Sequence, residues 1–103
     1  VKPYKVILRP SALRDLAGIE RWIEQEASAA VARRYGEAIL SYCRKLDRFP
    51  DRGRPRQELR EGLRTVVFRG AVTIAYVVTT EEVHILAIIG RGREIEAVFK
   101  DSM

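Results

Sequence analysis

Five arginines, Arg52, Arg54, Arg56, Arg60 and Arg64, fall within FPDRGRPRQELREGLR (49–64), among two prolines and two glycines. Guanidinium groups at that density can bind phosphate or carboxylate in bidentate fashion, or stabilise charge in a phosphoryl-transfer transition state. They make poor bases, because arginine stays protonated. A base has to come from elsewhere, and candidates are few. His84 is the only histidine. It sits in an apolar strand pattern with no carboxylate or nucleophile beside it by sequence, which reads as a partly buried or edge histidine. Cys43 is the only cysteine, so it forms no internal disulfide and no metal set, and it reads as a small core residue. The chain has no Ser/His/Asp grouping, HExxH, Walker loop or paired cysteines, and no metal or cofactor site is expected. GRGRE (90–94) lacks the spacing and the strand-to-helix setting of a dinucleotide fingerprint.

The charge points to binding. The net charge is +5 over 103 residues, with fifteen arginines against four lysines. Base composition of the genome is one source of that arginine excess, and selection for contacts with phosphate or carboxylate is the other. The excess is concentrated in residues 51–69, where six arginines face Asp51, Glu58 and Glu61. An acidic partner is expected, whether nucleic acid or protein. No apolar run nears the roughly 18 residues of a membrane span, and the start lacks a secretory signal, so a cytoplasmic chain is expected.

These residues need a scaffold, and one domain spanning 1–103 is expected to supply it. KVILR (5–9) reads as a short strand ended by Pro10. Ser11 is a candidate N-cap for a helix over about 12–26, with Asp15 near the positive end of its dipole. Leu13, Leu16, Ile19 and Ile23 form its apolar stripe, widened by Trp22. Ser28 caps a second helix whose stripe is Val31, Tyr35, Ala38, Ile39, Tyr42, Leu46 and Phe49, ended by Pro50. The short link predicts an antiparallel helical hairpin.

LRTVVFR (63–69), AVTIAYVVT (71–79) and VHILAII (83–89) then predict a three-stranded antiparallel meander. The fold class is therefore α+β. Val72, Ile74, Tyr76 and Val78 face the hairpin, and Ala71, Thr73, Ala75 and Val77 face away. Two helices cover one sheet face only. Either IEAVF (95–99) folds over the other, or a partner does. Arg64 and Arg69 on the first meander strand, with Arg91 and Arg93 past the last, gather on one edge as a basic patch or form a solvated rim. Arg54, between Gly53 and Pro55, is the expected structural anchor of the loop.

The order of these elements, with RPSALRDLAGIERWI (9–23), RFPDRGRP (48–55) and HILAIIGRGRE (84–94), resembles the ParE branch of the RelE/ParE toxin superfamily. The resemblance runs from about Val6 to Phe99. It implies the toxin of a type II toxin–antitoxin system, held inactive by a ParD-like antitoxin in a hetero-oligomer. It also implies inhibition of DNA gyrase, contact with DNA only through the antitoxin, no membrane, and no enzymatic activity. The implied antitoxin surface comprises Leu16, Ile19, Ile23, Arg54, Thr73, Ala75 and Val77. The implied target surface comprises Arg64, Arg69, Arg91, Arg93 and Phe99. A RelE-type ribosome-dependent messenger-RNA endonuclease is the alternative within the superfamily, and an inert interaction module of the same fold is another. Arg69 and Arg93 match by spacing two cationic positions of the nuclease branch. Phe99 stands where that branch has a tyrosine, and Gly90 where ParE members often have histidine.

Overall fold

The computed structural model describes residues 2–100. Along the chain come β1 (Lys5–Leu8), α1 (Pro10–Glu26), α2 (Ala29–Arg44) and two short 3-10 turns (Lys45–Asp47, Pro50–Arg52). β2 (Arg54–Pro55), β3 (Arg64–Phe68), β4 (Val72–Val78), β5 (Glu82–Ile89) and α3 (Ile95–Phe99) follow. The strands form one sheet in the order β1-β5-β4-β3-β2. The strand, hairpin and meander expected from sequence are all present. β1 joins the meander parallel to β5, and the two-residue β2 extends it beside β3.

The start of α1 differs from expectation in an informative way. Arg9 occupies the N-cap and Pro10 the first turn, where a missing N–H costs nothing. Ser11 is therefore inside the helix, and its hydroxyl donates to Leu86 O at 2.6 Å. β1 pairs with β5 only as far as Leu8 opposite Ile85. Beyond that point α1 replaces it: Asp15 Oδ2 accepts the Ile88 N–H at 3.0 Å. Polar side chains of a helix thus satisfy a strand edge that β1 leaves open. Ser28 does cap α2, accepting from Val31 N at 3.1 Å.

The buried seams are shifted from the predicted stripes. On α1 they are Ala12 and Leu16, with Ile19 and Ile23 half-buried, while Leu13 and Trp22 are 51% and 64% exposed. On α2 they are Ala32, Gly36, Ile39 and Cys43, and Val31 is outside the core. Tyr35 and Tyr42 flank this seam and meet Phe68 edge-on, centroids 5.5 and 5.4 Å away. Phe49 leaves the stripe altogether. The residue before a proline is pushed out of helical geometry, and Phe49 sits at φ −132°, ψ 69°.

The sheet packs on both faces. Val72, Ile74 and Tyr76 of β4 join the helices in one core, with Val78 half-buried at its margin. Ala75 lies in a second core with Leu63, Ala87, Ile89 and Phe99. A bulge in β5 makes both possible. Ala75 pairs with Ala87 and Tyr76 with Ile85, so Leu86 is the extra residue. Ile85 and Ile88 consequently both reach the helical core, and Leu86 and Ala87 both reach the second. The expectation left two covers open for this face. The tail supplies it: α3 brings Ile95, Val98 and Phe99 over the middle of the sheet, and Ala75 is wholly inaccessible.

Cys43 is fully enclosed, as expected, and burial pushes its thiol from 9.0 up to about 11, with the Arg44 charge opposing. The folded state thus favours the protonated thiol. Its contribution to stability is complete below pH 9.0 and is lost as the pH rises to about 11. The loss amounts to about 2–3 kcal/mol. Cys43→Ala is expected to flatten this stretch of a stability–pH profile measured by denaturant unfolding. An unchanged slope rejects the assignment.

Candidate protein-binding surfaces

The basic residues separate into two groups at opposite ends of the sheet. β5 ends at Ile89, which pairs with Thr73 near the start of β4, beside the β3–β4 turn. Arg69 in that turn and Arg91 and Arg93 beyond β5 therefore share one end. Arg64, opposite Tyr76, belongs to the other. Of the two arrangements the sequence left open, one basic edge holding all four arginines is ruled out accordingly.

At the first end, the GRGRE segment is a reverse turn. Arg93 N donates to Gly90 O at 3.3 Å, and Gly92 takes φ 95°, which a side chain would resist. Arg91 is exposed, and Arg93 Nη1 lies 3.6 Å from Asp15 Oδ1. Asp15 therefore holds both the β5 edge and the turn that carries the arginines. Next to it, Ile19 lies 3.7 Å from the point where a Gly90 Cβ would be, an ordinary contact distance. Ile19 and Ile23 and the exposed Trp22 extend α1 past the end of β5. Residues assigned separately to antitoxin and target thus meet around Gly90. Arg69, at φ 50°, is the one non-glycine with positive φ among the described residues, and its guanidinium covers the Phe68 ring at 4.8 Å.

Asp15→Asn is expected to keep an acceptor for Ile88 and to lose only the half-exposed pair with Arg93, at most about 1 kcal/mol. Asp15→Leu orphans the Ile88 N–H and is expected to cost about 1–3 kcal/mol. Chemical denaturation of the two variants tests the difference, and equal losses reject it.

At the second end, the loop is anchored by different arginines from the one expected. Arg54 is exposed. Arg64 Nη1 instead donates to Asp51 O and Gly53 O, both at 2.8 Å, and its Nε lies 3.9 Å from Asp51 Oδ1. Arg56 binds Glu58 at 2.7 Å and Glu96 at 3.1 Å, tying the loop to α3. Its hydrogen bond to Glu58 raises the Arg56 pKa and lowers that of the carboxyl. Arg64 and Arg56 therefore serve the fold first.

Three further residues are not surface in this structure. Leu16 is 5% exposed, Phe99 7%, and Ala75 is fully covered. Thr73 and Val77, half-buried, lie on either side of the part that α3 covers, and Val67, opposite Thr73, is 53% exposed. His84 does have a carboxylate beside it: Glu82 Oε1 lies 2.9 Å from Nε2. The i, i+2 spacing of a strand places both on one face, a signal present in the sequence. Leu13, Trp22, Val31 and Phe49 are exposed apolar residues that the periodicity assigned to the core. The pre-proline position was the signal for Phe49.

The family profile described as ParE toxin of type II toxin–antitoxin system, parDE, matches residues 6–95. Two solved structures are similar. A chain of the chromosomal ParDE toxin–antitoxin system from P. aeruginosa aligns at TM-score 0.75 and 20% identity, over 85% of this chain and 96% of that one. A chain of the toxin–antitoxin complex RelBE2 from Mycobacterium tuberculosis aligns at TM-score 0.66 and 26% identity, over 90% and 97%. A search of curated proteins gives no match.

Proposed function

We propose that this chain, which belongs to the ParE toxin family of type II toxin–antitoxin systems, is neutralised by a ParD-like antitoxin and acts by binding DNA gyrase rather than by catalysis. The observation that carries the reading is the composition of the end around Gly90. Ile19 of α1 lies against Gly90 of the turn that carries Arg91 and Arg93, with the exposed Trp22 and half-buried Ile23 one turn further along the helix, a mixture typical of protein interfaces. The antitoxin covers Ile19, Trp22 and Ile23 and the open margin at Thr73 and Val77. The target contacts Arg91 and Arg93, with Arg69 nearby. Because the two surfaces adjoin, bound antitoxin excludes the target directly.

A nuclease needs a proton acceptor beside its cationic residues. Among the described residues the one histidine–carboxylate pair, His84 with Glu82, lies near the start of β5. Arg91 is seven residues further on, about 23 Å along an extended strand. Phe99, at the position where a tyrosine is found in the nuclease branch, is a buried hydrocarbon. Both facts support a binding protein.

The test is induced expression without the antitoxin, followed by supercoiling and ribosome-bound message cleavage assays on purified protein. Growth arrest, inhibited supercoiling and intact message are expected, with the double variant Arg91→Glu, Arg93→Glu losing inhibition by at least about tenfold. Cleaved message with normal supercoiling rejects the reading. Soluble expression with no arrest makes the chain an inert module of the same fold.

A further inference from the structure

The loop Arg48–Arg54 is tied to the sheet by side chains of β3 and β4. Tyr76, fully buried, donates its hydroxyl to Pro50 O at 2.6 Å. Arg64 grips the carbonyls of Asp51 and Gly53. Arg52 N closes the turn on Phe49 O at 3.2 Å. On this frame Phe49 stands 74% exposed, more than any other large apolar side chain described. Arg48, Arg52 and Arg54 are exposed along the same short segment, and among the described residues none forms an ion pair within 4.0 Å. Asp51, 3.9 Å from Arg64 Nε and itself exposed, is the one carboxylate within this segment, so its three exposed arginines leave it net positive.

We propose that this loop is a preformed docking site for an acidic polypeptide segment, which sets an apolar side chain on Phe49 and its carboxylates on Arg48, Arg52 and Arg54. An aromatic ring flanked by arginines on an ordered backbone binds with little loss of conformational freedom. Charge complementarity selects an acidic occupant. Its polypeptide nature follows from Asp47 and Asp51, which interrupt the cations and oppose a continuous phosphate track. On the toxin reading the segment belongs to the antitoxin; the identification of the occupant rests on that reading, and the docking chemistry does not.

The test titrates the ¹⁵N-labelled protein with a short Glu/Asp-rich peptide carrying one central leucine. The same peptide with alanine there and an oligothymidylate of equal length serve for comparison. Amide shifts are expected to centre on residues 48–54, and the leucine peptide is expected to bind most tightly and to weaken with salt. Phe49→Ala and Arg52→Glu, both at exposed positions, are each expected to weaken it about tenfold while leaving the remaining spectrum unchanged. Absence of shifts, shifts centred on α1 or the Arg91–Arg93 turn, or tighter binding of the oligothymidylate overturns the proposal. A wild-type chain that fails to arrest growth rejects the toxin reading, and the titration still decides the docking site.

Discussion

Gly53→Ala is expected to destabilise the protein by about 1–3 kcal/mol, the cost of forcing volume into a packed interior. The backbone at Gly53 is ordinary, φ −70°, so strain is not the cause. Space is the cause: a Cβ there would run into the Tyr76 hydroxyl and the ring carbon that bears it. That ring is fully buried and tethered to Pro50 O, so it cannot swing aside as a flexible chain would. For a domain of this size each kcal/mol corresponds to about 4–8 °C in melting temperature. Tyr76→Phe alone leaves Pro50 O without its donor and is expected to cost about 1 kcal/mol. Combined with Gly53→Ala, the same change removes the atom that the new methyl strikes first. The double variant is therefore expected to lose less than the sum of the single losses. Strict additivity would contradict the steric account. Arg54→Ala, at the neighbouring exposed position, is the control and is expected to lie within about 0.5 kcal/mol of wild type.

The arginine-rich loop also shows what a sequence can and cannot state. Its role as a crossing from helix to sheet was legible, because Pro50, Gly53 and Pro55 cannot continue a regular element. Which arginine anchors it was not. Arg64 performs that task because it lies opposite Tyr76 on β4, and that register is set by a hairpin closing beyond it. Periodicity located both helices within a few residues, yet it placed Leu13, Trp22 and Phe49 inside. A stripe states only that one face is apolar; the crossing of α1 over β5 decides how wide a face is used. The Leu86 bulge was equally hidden. It reverses the alternation of β5, and past His84 the run ILAII carries no polar residue to mark the reversal. Among the candidate surface residues, Ile19 and Ile23 are half-buried and Arg91 and Arg93 exposed, because they belong to a helix end and a glycine turn. Ala75 and Phe99 were misplaced because their exposure depends on where a five-residue tail helix comes to rest.

That tail yields the second large effect expected. A helix of five residues has no stability of its own, so α3 is ordered by what it touches. Phe99 is its deepest contact, Ile95 and Val98 flank it, and Glu96 is held by Arg56. Phe→Ala in a core ordinarily costs about 3–5 kcal/mol. Here a five-residue helix joined to β5 by the Gly90–Arg93 turn can release as a unit, so the penalty on global unfolding is capped at the docking free energy of α3. The remainder appears as local opening. Phe99→Ala is accordingly expected to shift the melting temperature modestly. Tryptic cleavage after Arg91 and Arg93 is expected to accelerate at least about tenfold, since each 1.4 kcal/mol lost from the closed state multiplies the open population by ten. Binding of a hydrophobic dye should rise in parallel, as Leu63, Ala75, Ala87 and Ile89 become accessible. Arg56→Met removes the tie to Glu96 but retains the apolar stem, and it is expected to produce the same changes more weakly, because Glu96 is largely solvated. Unchanged proteolysis in Phe99→Ala would mean that the tail is held by something other than its aromatic anchor. Accelerated proteolysis with enhanced dye binding would place Ala75 one local opening away from any partner able to bind the bare sheet.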